Sequence, residues 1–443
     1  MMASSSSLLQ SLHYLQRSYS ESLQSSHHHR ARGFLGERFL NLSSQWRVYK
    51  SDAPFKRRVT CIEWHPTHTN AVAFSSKAGD ILLWKYDELG NDFTSDPNTL
   101  IKGIGYGHGS VSSMKFHPKN PNCIYTTSID GTFRLQDFTG KHSNVFLDTQ
   151  NYHFWWVSFD YCLDYNLLFV GGNTGKGALL STDGKVIKEF KKLHKSKIKH
   201  AQFCHAQSSI LTTSSVDRTV QIWDVRMLRE DQLGTSVKPL STLKHNAPVS
   251  SSHFDPFSGT RLLTTSQNGE LRVYDSFNMW TEPTVTIEHA HKHFQHLTDI
   301  TATWHPLYDN VCVIGRYPRT SADKQIRGVD LISLDSGKKA GHIYSPHVTG
   351  IMSVNKFNRT GEVLASGEGC RILVWKLPSG LEFKRQVNGS DSTSVPGLSG
   401  EASTGARRKR KREPSKDNTA VKKLKQKMAC EAVTVTTIRK RKK

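Results

Sequence analysis

An aromatic residue and a second large residue recur along the chain about twenty positions apart, and a turn rich in Gly, Asp and Asn lies between the members of each pair. Two strands rich in β-branched and aromatic residues around such a turn predict an antiparallel hairpin. The pairs are Trp64 with Trp84, Phe116 with Gln136, Phe159 with Leu179, Phe203 with Trp223, and Phe254 with Tyr274, while a sixth unit opens at Trp304 and a seventh runs from Phe357 to Trp375. We therefore predict seven similar β-units, of which the third and the sixth are irregular.

The fourth unit closes with the run Ile222-Trp223-Asp224-Val225-Arg226. Trp-Asp at the end of a β-rich run is the signature of a WD40 propeller blade, and the units follow one another at slightly more than the roughly 40–45 residues of one blade. Seven blades of four antiparallel strands close into a ring. The sequence thus predicts an all-β protein, a seven-bladed WD40 β-propeller over residues 48–378, with an N-terminal helical segment over residues 1–47 and a disordered basic tail over residues 379–443.

Two short helices are predicted before the first blade. Leu8, Leu12, Leu15 and Tyr19 recur at helical spacing, and residues 34–42 contain a second apolar cluster. A propeller does not need such helices, so we expect them to dock in a groove of a partner protein. The alternative is a mitochondrial transit peptide, since the first 20 residues contain Ser and Arg but no acidic residue.

The formal net charge of +22 is concentrated at the C-terminus. Residues 401–443 contain sixteen Lys and Arg and four Asp and Glu, a net charge of +12, which leaves +10 on residues 1–400. The basic clusters 407–412, 422–427 and 439–443 predict a nuclear location. The remaining positive charge predicts an anionic partner for the folded part as well. No apolar run approaches the ~18 residues that a membrane span requires, so no membrane partner is expected.

The residue types that carry catalysis or hold metals do not cluster in this sequence. No nucleophile–base pair, Gly-rich phosphate loop or metal cage stands out, so we expect neither an enzyme nor a cofactor. The alternating His289, His291 and His293, with His296, suggest a metal site, but no Cys or carboxylate cage accompanies them and we predict no metal. The seven cysteines are scattered without a C-x-x-C pair, which indicates reduced, buried thiols in an intracellular protein.

Strand direction assigns the loops of a propeller to two faces of the ring. Because the strands of a blade alternate in direction, segments that enter a unit and the hairpin inside it emerge on one face. Loops that follow the Trp-Asp pair at the end of a unit emerge on the other face, where Arg226 is expected. The first face carries the segment 288–298, an enlarged hairpin over residues 316–327 in the sixth unit, and the cations Arg57, Lys77 and Lys197.

Cations interleaved with aromatic residues are what binding to duplex DNA requires. Lys and Arg neutralise phosphates in a salt-dependent manner. An apolar ring such as Phe294 can wedge between base steps and occupy the space of an extruded base, while Gln295 and His296 can hydrogen-bond to base edges. The alternative is an ordinary β-connection in which Phe294 packs inward.

Seven motifs link the chain to a known family. They are APFKRRVTCIEWHPTH (53–68), SSKAGDILLW (75–84), LIKGIG (100–105), TTSIDGTFRLQDF (126–138), SSVDRTVQIWDVR (214–226), HKHFQHLT (291–298) and VIGRYP (313–318). With these motifs the chain resembles the small WD40 subunit of the UV-damaged DNA-binding complex, which is the substrate receptor of a cullin–RING ubiquitin ligase in nucleotide excision repair. The resemblance covers roughly residues 48–375, and the run HFQHLT followed by WHP and GRYP is its most specific part.

The resemblance implies roles in DNA binding for the residues of the first face. Phe294, Gln295 and His296 would enter the minor groove at a lesion and hold two flipped-out photoproduct bases outside the helix. Trp155 would line the contacted face. Lys292 stands where the family often has Arg; it would keep the positive charge but not the pair of parallel hydrogen bonds that a guanidinium makes. The flanking phosphates would be held by Arg57, Lys77, Lys197, Tyr317 and Arg327.

The resemblance also implies protein partners. Arg226 and Asp224, with the helical stripe Leu8, Leu12 and Leu15, would dock on the large triple-propeller subunit of the complex and through it on a cullin-4-type ligase. The Ser-rich N-terminal region diverges from the family, and the long basic tail is additional to it. Nucleosomes are a further expected partner. The remaining alternative is a chromatin adaptor of a ligase that reads histone tails through the central channel without lesion specificity, which would need acidic and aromatic residues around the channel mouth.

Overall fold

Seven antiparallel sheets of four strands each make up the described part of the protein. The computed structural model describes residues 36, 38–87, 100–103, 109–139, 142–151, 153–230, 238–276, 280–291, 293, 298–317 and 327–378, and all of them belong to one unit of the chain, residues 1–387. Innermost strands of neighbouring sheets contact one another around a central channel, so the sheets are the blades of a propeller. The predicted all-β, seven-bladed fold is confirmed.

Each blade is a meander from an innermost to an outermost strand. Blade 1 contains β2 (Val59–Trp64), β3 (Ala71–Ser76), β4 (Ile81–Lys85) and β5 (Leu100–Ile101); blade 2 contains β6 (Val111–Phe116), β7 (Cys123–Ser128), β8 (Thr132–Asp137) and β9 (Ser143–Asp148); blade 3 contains β10 (Trp156–Cys162), β11 (Leu167–Gly172), β12 (Gly177–Ser181) and β13 (Val186–Phe190); blade 4 contains β14 (Ile198–Phe203), β15 (Ile210–Ser215), β16 (Thr219–Asp224) and β17 (Ser241–Lys244).

The remaining three blades follow the same order. Blade 5 contains β18 (Val249–Phe254), β19 (Arg261–Ser266), β20 (Glu270–Asp275) and β21 (Pro283–Glu288); blade 6 contains β22 (Thr303–Trp304), β23 (Val311–Arg316), β24 (Gly328–Ser333) and β25 (Lys338–Ile343); blade 7 contains β26 (Met352–Phe357), β27 (Val363–Glu368), β28 (Arg371–Lys376) and, as its outermost strand, β1 (Arg47–Asp52). The last blade is therefore built from both ends of the propeller sequence.

The central strands of a blade are buried on both faces. All residues of β3, β11, β15 and β27 are buried, which explains why these strands read as continuous runs of apolar and small residues. The outermost strand β9 is by contrast mostly exposed. Trp64 and Trp84 of blade 1 pack in one core cluster with Val363 and Val374 of blade 7. Each blade thus buries its apolar surface against its neighbours. Blade 1 must therefore meet blade 7, because the surface between them is otherwise exposed to water.

Pairing between β1 and β28 closes the ring, with Val48 opposite Trp375. Phe39 and Trp46, which precede the predicted start of the propeller, are buried, and their ring centroids lie 5.8 and 5.7 Å from that of Phe357 in blade 7. This part of the predicted N-terminal segment therefore packs into the propeller core, because two large aromatic side chains gain more by burial there than in water.

The described helices are short. Residues 36 and 38–41 are helical where the sequence predicts the second N-terminal helix, a 3-10 helix spans Ser43–Gln45, and α1 (Val225–Glu230) directly follows β16. None of the described helices has the length and apolar character needed to cross a membrane. The predicted docking residues Leu8, Leu12 and Leu15 and the basic tail from residue 379 onward lie outside the described residues.

The six described cysteines are free thiols. Cys162, Cys204 and Cys312 are buried between strands, as expected, and burial raises the pKa of each thiol. Cys370 is exposed in the hairpin between β27 and β28, so the prediction of uniformly buried thiols is wrong at that position. A hairpin tip faces solvent whatever residue it contains, and the scattered spacing gave no sign of this.

A buried hydrogen-bond chain fixes the hairpin of blade 4. Asp217 accepts a hydrogen bond from Nδ1 of His194 (3.0 Å), Nε2 of His194 lies 2.8 Å from the hydroxyl of Thr213, and Nε1 of Trp223 donates to the same hydroxyl (2.8 Å). Burial by itself would raise the pKa of Asp217, but the hydrogen bonds from His194 and Thr219 lower it well below its usual range. Trp223 of the Trp-Asp pair is thus connected to the hairpin of blade 4 through the side chains of Thr213, His194 and Asp217.

The innermost strands enclose a channel of about 530 Å³. The rings of His200 and His253 lie there with their centroids 4.2 Å apart and their planes tilted by 59°. Burial, and then the charges of Lys115 and Lys356, lower the pKa of His253 to about 3. The charged side chains of the wall form ion pairs: Lys115 with Asp160 (2.7 Å), Lys356 with Glu63 (2.6 Å) and Lys199 with Asp299. The channel therefore holds neutral histidines among matched charges.

We predict that His253 makes folding sensitive to acid. Its imidazole takes up a proton near pH 6.5 in the unfolded chain but only near pH 3 in the propeller, so stability is lost as the pH falls between these values. The His253→Gln variant should show a pH slope of the unfolding free energy that is smaller by up to about 1.4 kcal/mol per pH unit. Urea unfolding followed by tryptophan fluorescence at pH 7, 6, 5 and 4 measures it.

The matched control is His205→Gln, which removes an exposed histidine from the rim of the same channel. The same measurements on this variant show how far the slope depends on the loss of any histidine from the channel. Equal slopes for the His253→Gln variant and the unmodified protein would contradict the prediction.

Candidate nucleic-acid interface

One face of the ring is marked by a hydrogen bond that recurs in six blades. In each, the first residue of the hairpin between the second and third strands donates its amide to a carbonyl in the segment that enters the blade. The donor–acceptor pairs are Lys77 with Arg58 (2.8 Å), Ile129 with Ser110 (2.9 Å), Asn173 with Trp155 (3.0 Å), Val216 with Lys197 (3.0 Å), Gln267 with Pro248 (2.9 Å) and Tyr317 with Ala290 (2.9 Å). These segments and hairpins form one surface, which we call the hairpin face.

Four predicted DNA-binding residues lie on the hairpin face in blades 1, 3 and 4. Arg57 and Lys77 are exposed, and Trp155 and Lys197 are half-buried. The ammonium group of Lys197 lies 5.3 Å from the ring centroid of Trp155, a cation–π distance. Burial, and then the charge of Lys199, lower the pKa of Lys197. Trp155 therefore fixes the position of a cation whose hydration is already reduced.

Tyr317 and Arg327 form a second pair on this face, in blade 6. The guanidinium of Arg327 lies 5.8 Å from the ring centroid of Tyr317, and its Nη1 donates to the carbonyl oxygen of Thr349. Both residues flank the enlarged hairpin of blade 6, whose residues 318–326 lie outside the described part of the chain. The structure thus brings together two residues that the sequence separates by the length of this hairpin.

The predicted wedge residues Phe294, Gln295 and His296, with Lys292, lie outside the described residues, but both ends of their segment are described. On the C-terminal side, the hydroxyl of Thr298 donates to the carbonyl oxygen of Val59 in blade 1 (2.7 Å). The innermost strand β22 has two residues, whereas its counterparts have six or seven, because residues 298–302 leave the sheet. Thr298, Asp299 and Thr301 line the channel, whereas Ile300 and Ala302 pack into the core.

The alternating histidines on the N-terminal side have structural partners. Nε2 of His289 donates to the carboxylate of Asp330 (3.1 Å), the Nδ1 atoms of His289 and His291 are 2.9 Å apart, and Nε2 of His291 donates to the carbonyl oxygen of Ser266 (3.0 Å). His289 and His291 are both buried. Within the described ranges, no group of three or more His, Cys, Asp or Glu side chains is arranged to hold a metal ion.

Asp299, which sequence reasoning did not assign to the site, lies among the cations of the hairpin face and lines the channel. Asp299 forms an ion pair with Lys199 of blade 4 and lies 3.4 Å from Nδ1 of His293. Burial lowers the pKa of Arg58, and the negative charge of Asp299 offsets part of this decrease. Lys199 and Asp299 are 100 positions apart, so no local pattern could have paired them. A carboxylate therefore stands in the middle of the cationic hairpin face.

Arg226 lies on the opposite face, as strand direction predicts. It follows the end of β16, and its side chain is 59% exposed. Its Nε and Nη2 donate to the two carboxylate oxygens of Asp224, at 3.0 and 2.6 Å, and this hydrogen bonding lowers the pKa of Asp224. Asp224 thus holds an exposed guanidinium in one orientation at the start of α1.

Comparison with known proteins agrees with this architecture. The family model described as WD domain, G-beta repeat matches residues 99–137 and 184–224, which contain much of blades 2 and 4. The chain is 38% identical over 431 residues to DNA damage-binding protein 2 of Danio rerio, covering 94% of this chain and 81% of that protein. It is 42% identical over 345 residues to DNA damage-binding protein 2 of Bos taurus, covering 77% of each.

No enzyme family is indicated by this family model or by these two relatives. The WD40 match confirms the fold class, and the identity to the relatives extends over most of the chain. The chain therefore belongs to the DNA damage-binding protein 2 family of WD40 propellers.

Proposed function

We propose that this protein recognises damaged duplex DNA with its hairpin face and presents the lesion's surroundings to a cullin-4-type ubiquitin ligase during nucleotide excision repair. The observation that supports this most is the arrangement of the hairpin face, where cations surround a segment that is anchored across the channel mouth. The name of the relatives, DNA damage-binding protein 2, points to the same activity.

The phosphate backbone is the first element of this recognition. Arg57 and Lys77 are exposed in blade 1, Lys197 lies in blade 4 and Arg327 in blade 6, so the cations surround the mouth on several sides. Each cation that neutralises a phosphate releases counterions, which gives affinity that falls with salt and does not depend on sequence. Lys292 adds a charge beside the wedge residues. These contacts place the duplex over the channel mouth.

Lesion selectivity is assigned to Phe294, Gln295 and His296. Extruding bases from an intact duplex costs a few kcal/mol, and the cost is smallest where a lesion has already weakened stacking. A wedge that enters the minor groove and fills the vacated space gains net energy only at such sites. The described ends of the segment, at His291 and Thr298, are both hydrogen-bonded to the ring, which supports a fixed point of insertion.

Protein partners are assigned to the opposite face. The exposed guanidinium of Arg226, oriented by Asp224, is suited to dock on the large triple-propeller subunit of the damaged-DNA-binding complex. Leu8, Leu12 and Leu15 are proposed to extend this contact. The basic clusters of the tail are proposed to direct the protein to the nucleus, where nucleosomal DNA is a further partner.

The alternative of a histone-tail reader receives less support from the channel. A basic tail would need unpaired carboxylates, whereas Glu63, Asp160 and Asp299 each form an ion pair with a lysine of the wall. Inserting a cation there would require breaking one of these pairs. The cationic hairpin face also repels such a tail.

We predict that Lys197→Glu weakens binding to all duplexes and flattens the dependence of log affinity on log salt concentration. A phosphate contact carries no sequence information, and a carboxylate at this position repels the backbone, so the loss should exceed that of Lys197→Ala. Fluorescence anisotropy with damaged and undamaged duplexes between 50 and 200 mM salt, about the range over which such contacts are resolved, measures the slope.

The matched control for this charge reversal is Lys338→Glu. Lys338 is exposed at the start of β25, an outermost strand, on the edge away from the hairpin face. Its reversal changes the net charge equally and should alter the slope much less. An unchanged slope for Lys197→Glu would remove this lysine from the DNA contact.

We predict that replacing Phe294, Gln295 and His296 together by Ala abolishes the preference for damaged over undamaged duplex. The salt-dependent background should remain, because the phosphate contacts are intact. Parallel titrations of the two duplexes give the ratio, and Lys197→Ala is the comparison, since it should lower both affinities and keep the ratio. A ratio that survives the triple substitution would show that the wedge lies elsewhere.

We predict that Arg226→Ala loses the ligase scaffold in a pull-down and keeps damaged-DNA binding, because the two sites lie on opposite faces. Arg359→Ala is the control, since Arg359 is exposed in the turn between β26 and β27, on the same face as Arg226 but in another blade. It should retain both partners. If Arg226→Ala loses DNA binding while its circular dichroism stays that of a folded propeller, the assignment of the two faces is wrong.

A further inference from the structure

A row of lysines runs along the segment that enters blade 4. Residues 191–199 contain five lysines and no acidic residue. The segment starts where the outermost strand β13 of blade 3 ends, and it reaches the innermost strand β14 of blade 4. This lysine row therefore crosses the hairpin face from its outer edge to the channel. Its inner members are Lys197 and Lys199, and its outer members are Lys191, Lys192 and Lys195.

The inner and outer members differ in their surroundings. Lys199 forms an ion pair with Asp299, and Lys197 lies against the ring of Trp155. The outer members are exposed, and within the described ranges none of them forms an ion pair. Even with Glu189, which is exposed near the end of β13, residues 189–199 have a net charge of +4. The outer half of the row is thus a concentrated positive charge that attracts an anionic partner.

Hydrogen bonds on both sides fix the course of this segment. The amides of Leu193 and His194 donate to the carbonyl oxygen of Gly175 in the hairpin of blade 3 (3.0 and 3.1 Å). A Cβ on Gly175 would collide with the carbonyl group of His194, so glycine permits this close approach. On the other side, the amide of Lys195 donates to the carboxylate of Asp217 in the hairpin of blade 4 (2.9 Å). The lysines therefore extend from an ordered backbone, which lowers the entropic cost of binding an anion.

A second cationic segment lies nearly opposite on the ring. Lys56 and Arg57 are exposed in the segment that enters blade 1. Three blades lie between that segment and the lysine row in one direction around the ring, and four in the other. A duplex laid across the channel mouth between the two segments would meet positive charge on both sides. This arrangement fits DNA better than an acidic peptide, because a duplex is a stiff rod whose charge continues along its whole length.

The extent of the row determines which part of a duplex it can contact. Neighbouring strands are about 4.7–4.9 Å apart, so the outermost strand of a blade lies roughly 14 Å farther from the channel than the innermost strand. Each strand of a duplex carries one phosphate per 3.4 Å or so, and this distance therefore corresponds to about four base pairs. The outer members would lie under DNA at least that far from a lesion placed over the channel mouth.

We propose that Lys191, Lys192 and Lys195 form a further DNA-contact site, which binds the phosphates of one arm of the duplex beyond the lesion. This inference rests on the proposed function, since it takes the lesion to lie over the channel mouth. The inner members contact the duplex next to the lesion, whereas the outer members hold one arm and add affinity that falls with salt. Because the row lies on one side of the mouth, one of the two arms gains from it.

The experiment reverses two outer charges, with Lys191→Glu and Lys192→Glu combined in the full chain. Two duplexes of equal length and composition carry a UV photoproduct about four base pairs from the 5′ end or from the 3′ end of the damaged strand, so each has one arm too short to reach the outer edge. At about 150 mM salt, we expect this double variant to lose at least about fivefold in affinity for one duplex and to stay within about twofold for the other. Fluorescence anisotropy measures both affinities.

The matched control combines Lys119→Glu with Lys185→Glu, which changes the net charge equally. Both lysines are exposed on the opposite face, Lys119 in the turn between β6 and β7 and Lys185 in the turn between β12 and β13. The control should stay within about twofold of the unmodified protein on both duplexes, because charges on that face are farther from the DNA than the Debye length of about 8 Å.

The outcomes separate this inference from the proposed function. If the unmodified protein does not prefer the damaged duplexes to a matched undamaged duplex, the proposed function fails and this inference with it. Where the preference is present, equal loss on both damaged duplexes, or loss on neither, overturns only the role of the outer lysines; loss on neither would leave them to an acidic protein partner. If the double variant does not fold by circular dichroism, Lys191→Ala with Lys192→Ala is measured on the same duplexes and should show a smaller loss confined to one of them.

Discussion

The antiparallel order of four strands in each blade is the constraint on which the rest of the structure depends. Because direction alternates, entering segments and inner hairpins share one face, and the recurring amide-to-carbonyl hydrogen bond ties them together in six blades. The chain can therefore place basic residues from blades 1, 4 and 6 on one surface while Arg226 emerges on the other. Two separate faces of one ring, each with its own set of side chains, follow from backbone geometry alone.

The hairpin face is not uniformly cationic, and the carboxylate of Asp299 at the channel has a structural purpose. Asp299 neutralises Lys199 and lies beside His293, so it fastens the incoming chain of blade 6 across the channel mouth. The cost is a negative charge close to where phosphates are proposed to bind. Asp299 thus stabilises the crossing segment, but its charge would repel phosphates and lower the affinity for undamaged DNA. Under the proposed function, this repulsion favours binding that depends on the lesion.

The sequence predicted the elements whose signals are local. A hairpin places its paired residues within about twenty positions, so seven units could be counted and the ring inferred. The side of the ring on which Arg57, Lys77, Lys197 and Arg226 lie also followed, because it depends only on strand direction. Residue chemistry allowed Phe294, Gln295 and His296 to act as a wedge, and the family resemblance favoured that role over an inward-packed Phe294.

What the sequence did not predict depends on long-range contacts. Lys199 meets Asp299 across the ring, and His289 meets Asp330 from another blade. Without those partners, the alternating histidines raised the question of a metal site, which the sequence analysis did not predict, and gave no sign of a hydrogen-bonded chain. Phe39 and Trp46 were assigned to a helical docking segment because their apolar character could be seen but the blade 7 surface that covers them could not.

The pairing of β1 with β28 has a consequence for the order of events during synthesis. Asp52 and its partner Ile372 are 320 positions apart, so at roughly 5–20 residues per second the ribosome finishes β28 some tens of seconds after β1. During that interval the apolar sides of blade 1 that finally face Val363 and Val374 have no cover. The nascent chain is then a row of blades with open ends, a state in which chaperones bind exposed apolar strands. Completion of the last strand turns that row into a ring and covers the apolar side of blade 1.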